Sequence, residues 1–153
     1  YGIKIIGNCE DKLYKKFMQT IRKNEIYRQV FFPNRFFLDS ELAGLSKSCQ
    51  IGIALYNTGR TGATYYTDPG KVKTYAQLGL PIIMSNIPTV AKYIKKFQCG
   101  LIIDDDGKEL DEAIIEMKQN YNKYLKGLKN FNKYFYYDTY FKRSFAHLRS
   151  VWK

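Results

Sequence analysis

Short apolar runs closed by glycine, proline or asparagine alternate along this chain with longer stretches in which apolar residues recur every three or four positions. The runs GIKIIG (2–7), QVFFPN (29–34), QIGIALY (50–56), PIIMS (81–85) and LII (101–103) read as buried strands, the second stopped by Pro33. Between them, Leu13, Phe17 and Ile21 predict one buried face of a helix from Asp11 to about Lys23. Leu42, Leu45 and Cys49 predict a second helix, with Asp39 or Ser40 as its cap. A third has Val72, Tyr75 and Ala76 facing inward, Asp68 as its cap and Pro69 in its first turn. Pro88 stands near the start of a fourth, which packs through Val90, Ile94 and Phe97. Leu110, Ala113, Ile114, Met117 and Tyr121 predict a long amphipathic helix, and after a break near Tyr137 and Asp138 a final helix covers 139–153.

Strands each followed by a helix imply an α/β fold, a Rossmann-like, mostly parallel sheet with helices on both faces. At 153 residues the chain is expected to form one domain over 1–153. Ligands of such sheets bind beyond the carboxyl ends of the strands. That rule puts Gly7 to Cys9, Pro33 to Asn34, the 56–68 loop, Ser85 to Asn86 and Asp104 to Asp106 on one rim.

Composition narrows the chemistry. Cys9, Cys49 and Cys99 are far apart and odd in number, which favours a reducing cytoplasm. One histidine, His147, leaves little material for a zinc site or a nucleophile–histidine pair, and no metal is expected; His147 itself is expected on a helix packing face. No apolar run approaches the roughly 20 residues of a membrane span. A formal charge of +11 fits an anionic partner: nucleic acid, a membrane surface or a phosphorylated ligand. Interleaved Lys, Tyr, Asn and Phe in the last third also fit a plain solvated basic face.

The segment DPGK (68–71) is the most pointed chemical signal. A helix N-terminus carries free N–H groups and a partial positive charge, so a lysine in its first turn opposes the dipole by about 0.3–1 kcal/mol. An anion bound there would offset that penalty: Lys71 supplies the charge, Gly70 an unhindered approach and Thr74 a hydroxyl one turn on. The alternative is a capped helix with an exposed lysine. Two other motifs weigh less. IIDDDG (102–107) has the look of a metal-binding DxD, but its acids stand where a strand ends and a helix needs capping. GRTG (59–62) has the spacing of a nucleic-acid-clamping GxxG loop, yet it lies between strand and helix rather than between two helices.

The stretch DPGKVKTYAQLGLPIIMS resembles the donor-binding helix of retaining glycosyltransferases with the two-domain GT-B fold, particularly family 4, with Lys71, Tyr75, Gly79 and Pro81 in the matching positions. IKIIGN, VFFPN and CQIGIALY resemble the family's other strands in order, so the resemblance covers about residues 2–120. The family's two glutamates, eight apart, fall on Tyr66 and Thr74, and Asp68 is the nearest substitute. The resemblance implies the C-terminal, nucleotide-sugar-binding domain of such an enzyme. An earlier strand and helix with an Arg and a Lys for the diphosphate, and an N-terminal acceptor domain, are expected outside this chain, which alone would be inactive. It implies transfer of a hexose from a UDP- or GDP-sugar, without cofactor, to a carbohydrate or lipid-linked acceptor in bacterial surface polysaccharide synthesis. Such an enzyme is expected in the cytoplasm, with peripheral contact at the inner face of the membrane. Lys71 and Asp68 are the expected catalytic residues. Gly7, Asn8, Pro33 and Asn34 are expected to border the base, and Tyr66, Thr67, Gly70 and Thr74 to meet the sugar and phosphates. A basic nucleic-acid-binding α/β module and a sugar-nucleotide epimerase domain are the alternatives; nucleic acid is not the expected partner.

Overall fold

The computed structural model describes residues 2–56 and 63–152, apart from the side chains of Thr64 and Pro88. The GRTG segment therefore lies outside the described residues. The chain divides into two compact units, Tyr1–Cys49 and Gln50–Lys153.

The first unit runs β1 (Ile3–Lys4), α1 (Asp11–Lys23), a 3-10 turn (Tyr27–Gln29), β2 (Val30–Phe31) and α2 (Asp39–Ser46). β1 and β2 pair in parallel, Ile3 against Val30 and Lys4 against Phe31. Lys4 ties β1 to the end of α2, its ammonium donating to the Leu45 carbonyl at 2.9 Å and to Ser48 Oγ. A two-stranded ribbon is too narrow to cover a 13-residue helix. Of the face expected to be buried, only Ile21 is fully covered; Phe17 packs edge-on to Phe32 at 5.5 Å and Leu13 stays exposed. Neither Asp39 nor Ser40 caps α2. Leu38 is its N-cap, and the Glu41 carboxylate accepts the Leu38 N–H at 2.8 Å while pairing with Arg35.

The second unit runs β3 (Gly52–Ala54), a 3-10 turn (Ala63–Tyr66), α3 (Gly70–Gln77), β4 (Ile82–Ser85), α4 (Pro88–Phe97), β5 (Gly100–Ile103), α5 (Leu110–Gln119), α6 (Tyr121–Phe135) and α7 (Tyr137–Val151). Its sheet is parallel in the order β3-β4-β5, with every residue of the central β4 buried. Alternation along β4 serves two cores. Ile82 and Met84 join Val72 and Ala76 of α3, Ile94 of α4 and Phe131 of α6, whereas Ile83 joins Ala113 and Met117 of α5. The sheet is thus sandwiched between helices, the Rossmann-like α/β arrangement expected.

Two glycines set how closely the layers approach. A Cβ on Gly100 would lie 2.0 Å from the Ile82 carbonyl oxygen, and one on Gly127 2.3 Å from the carbonyls of both Phe97 and Gln98. Glycine at 127 is what lets α6 lie on the end of α4. The long amphipathic helix read from Leu110 onward is broken at Asn120 into α5 and α6, and the Lys- and Tyr-rich α6 is a core helix that buries Tyr124, Leu128 and Phe131. His147 on α7 is exposed and packs no face. Among the described residues no helix is long and apolar enough to cross a membrane.

Candidate functional site

The rim of the second unit is organised by the residues at which its strands end. Beyond β3, the Tyr56 N–H donates to Ser85 Oγ at 2.7 Å, and Ser85 is itself wholly buried at the end of β4. This bond couples two adjacent strand ends and satisfies the Tyr56 N–H beyond the last pair of the β3–β4 ladder, Ala54 with Met84. The Tyr56 hydroxyl is buried without a hydrogen-bond partner among the described residues, and burial, with Tyr75 nearby, pushes its pKa up to about 12. Over the Tyr56 ring, 4.7 Å from its centroid, lies the Lys71 ammonium. A cavity of about 370 Å³ opens beside them, lined by Leu55, Tyr56, Asp105 and Asp106.

The approach to α3 is fixed on both sides. The Thr67 carbonyl accepts Thr89 Oγ1 at 2.5 Å, which ties the approach to the first turn of α4. Pro69, buried, is the N-cap of α3, and Gly70 opens the helix with no atom of another described element within 4 Å of where a Cβ would stand. Asp68 is therefore not the cap that its position suggests. Its Oδ2 pairs instead with Lys73 Nζ at 2.5 Å, and Pro69 at the N-cap makes no side-chain cap bond. Proline at the capping position puts the aspartate one residue too early to reach the first-turn N–H groups. Thr74 turns its hydroxyl back to the Gly70 carbonyl at 3.3 Å, the usual satisfaction of a mid-helix threonine. Tyr66 is exposed and stacked edge-on with Tyr65 at 5.1 Å.

Lys71 and Lys73 are two residues apart yet differently engaged. Lys73 is neutralised by Asp68, whereas Lys71 has an aromatic face beneath it and, among the described residues, no carboxylate in ion-pair range. A cation over a tyrosine ring keeps its charge available to an incoming anion while its position is restricted.

The remaining expected residues form a separate group in the first unit. Gly7 (φ +132°) bridges to Arg35, and Asn34, in the left-handed region at φ +49°, accepts the Cys9 N–H on Oδ1 at 2.8 Å and donates from Nδ2 to the Cys9 carbonyl at 3.4 Å. Asn34 thus clamps the turns that follow β1 and β2, while Asn8 and Pro33 are exposed. Gly7, Asn8, Pro33 and Asn34 are gathered in this way in one unit, and Tyr66, Thr67, Asp68, Gly70, Lys71 and Thr74 in the other.

The acidic triplet makes a turn rather than a cap. The Asp104 carbonyl accepts the N–H of Gly107 (φ +71°), and the Asp104 N–H donates to Glu109 Oε2. Lys108 holds Asp106 at 2.7 Å and lowers its pKa below the ordinary carboxylate range. α5 begins only at Leu110. A larger cleft, about 480 Å³, lies at the other end of α3, against α6, lined by Gln77, Gly79, Lys126 and Asn132 among others. It shares no residue with the strand-end rim. Tyr56 and Ser85 are the rim residues whose particular roles sequence reasoning missed. A tyrosine closing an apolar strand and a serine closing the next are the only signals, and both are common in cores.

Parallel strands between helices, with a lysine in the first turn of a helix at the strand ends, define a Rossmann-like α/β domain. The family is more specific than that. Residues 52–148 match the glucosyltransferase 3-like C-terminal domain, and the chain belongs to this family of glycosyltransferase C-terminal domains. No curated protein and no solved structure matches the chain.

Proposed function

We propose that this chain binds the nucleoside diphosphate sugar of a GT-B, family 4-like, retaining hexosyltransferase, with the donor diphosphate against Lys71 and the first turn of α3. The observation that carries this is Lys71 itself: a cation held over the Tyr56 ring at the strand ends, beside a helix N-terminus whose N-cap is a proline and, among the described residues, without a neutralising carboxylate in range. Charge on the leaving diphosphate grows as the sugar bond breaks. A fixed cation and oriented N–H groups stabilise that charge more in the transition state than in the ground state, with no metal required. Asp68, tied through Oδ2 to Lys73, borders the same rim and offers its other oxygen to a sugar hydroxyl. Tyr66, Thr67 and Gly70 then line the sugar side. The acceptor is a carbohydrate or lipid-linked sugar, in bacterial surface polysaccharide synthesis.

A calorimetric screen of UDP-, GDP- and ADP-sugars tests donor binding, and Lys71→Ala tests the assignment. Loss of a charge-assisted contact worth about 1.5–3 kcal/mol is expected to weaken the best donor by roughly 10- to 150-fold with an unchanged melting curve. An unchanged dissociation constant would leave Lys71 a surface lysine packed on a tyrosine.

A further inference from the structure

The last helix carries a face that the α/β core does not use. α7 is held to α6 by Arg143, whose guanidinium lies 3.7 Å from the Tyr134 ring centroid and donates to the Tyr134 carbonyl at 2.6 Å. Arg143 and Thr139, which is also partly covered, mark the inward side. At 3.6 residues per turn, Tyr137, Phe141, Phe145, Leu148 and Trp152 follow one another along a different side. All five are exposed, Phe145 by 59% and Trp152 by 87%. Stacking within the stripe, 4.4 Å between Tyr137 and Phe141, keeps it continuous. Lys142 and Arg149 run along its border.

Composition decides what such a face fits. Four of the five stripe residues are aromatic and two of those, Tyr137 and Trp152, carry a polar handle, the pattern of side chains that settle at the boundary of lipid and water. From Tyr121 to the end the chain has eight Lys or Arg and a single acid, Asp138. A second copy docked on this face would bring like charges together, whereas an anionic surface is complementary to them. No described helix can span a bilayer, so lipid contact is with its surface. We infer that α7 is a membrane-surface helix that sets its aromatic stripe into the headgroup region of an anionic bilayer. This is independent of the donor-site assignment.

The test uses the 153-residue chain, vesicles of phosphatidylcholine with and without phosphatidylglycerol, and the emission of Trp152, the chain's one tryptophan. Cosedimentation with the phosphatidylglycerol vesicles, a blue shift of Trp152 on binding, and release by salt are expected. Phe141→Ser with Phe145→Ser should weaken partitioning about tenfold or more, with the folded circular dichroism signal retained because neither ring belongs to the two buried cores. Lys142→Glu with Arg149→Glu should abolish the preference for anionic lipid. Failure to bind either vesicle, or equal binding to both, overturns the inference. So does binding indifferent to the two phenylalanines, and so does a blue-shifted, dimeric chain without lipid, which would assign the stripe to a second copy.

Discussion

Residues 1–49 and 50–153 are built from the same alternation of strand and helix, yet they bury very different amounts of it. In the first unit Ile21 is the one fully covered apolar side chain among the described residues, whereas in the second every residue of β4 is covered and two cores lie on opposite faces of its sheet. Strand number accounts for the contrast. A third strand gives a central one whose two faces both need helices, while a two-stranded ribbon leaves each strand an edge. The first unit is instead held by polar clamps: Asn34 across two turns, Lys4 on α2 and Glu41 on Arg35. The match to the glucosyltransferase 3-like C-terminal domain begins at residue 52, with β3 and two residues into the well-packed unit.

The strongest way to break this comparison is Phe131→Ala in the second unit. Phe131 is fully buried on α6, and its truncation should cost about 3–5 kcal/mol in urea unfolding followed by circular dichroism. A cost below about 1 kcal/mol would show that the second core is not the tight one.

A pH titration of stability comes next, and it too separates the units. Burial pushes the pKa values of Tyr56, Cys99 and Tyr124 up to about 12, Tyr124 also by its hydrogen bond to Glu116, and all three lie in the second unit. An unfolded phenol titrates near 10 and a thiol near 8.5, so between those values and about 12 the unfolded chain binds fewer protons than the folded one. Stability should therefore be insensitive to these groups at lower pH and fall as pH rises toward 12. Tyr124→Phe should flatten part of the decline; an unchanged profile would count against a buried neutral phenol.

Smaller effects sharpen the contrast from the other side. Asn34→Ala removes both bonds to Cys9 and places a Cβ residue with no local hydrogen bond at φ +49°, so about 1–2 kcal/mol should be lost, visible as faster exchange of the Cys9 amide. Asn34→Gly relieves the backbone but not the lost bonds and should recover only part. Smallest is Gly44→Ala, in a helix of the first unit where nothing stands within 4 Å of the new Cβ. It should raise stability by about 0.5–1 kcal/mol, read from the midpoint of urea unfolding.

Much of this was legible in the chain. Val72, Ala76, Val90 and Ile94 fall on the buried faces that their spacing predicts, because a three-stranded sheet supplies the surface that the pattern presupposes. Leu13 shows the same inference failing where that surface is narrow. The cap at Asp68 was misplaced for a local reason: sequence prefers an acid at an N-cap, but proline took the position and left the carboxylate to Lys73. Tyr56 could not be read at all, since its part in the site comes from a lysine fifteen positions on that only the fold brings over its ring. The break at Asn120 escaped because apolar spacing continues through it.

Gly127 carries a consequence for descent. A carbonyl oxygen on each of two residues stands where its Cβ would be, so no neighbouring side chain can yield to make room. Any relative that keeps α6 crossing the end of α4 at this distance must keep glycine there, however far the Lys- and Tyr-rich surface around it drifts. A relative with a larger residue at that position must have moved the helix, and with it Phe131 out of the core. One small position in a stretch of biased composition is thus the mark by which more distant members of the lineage can be told from chains that only share its lysines.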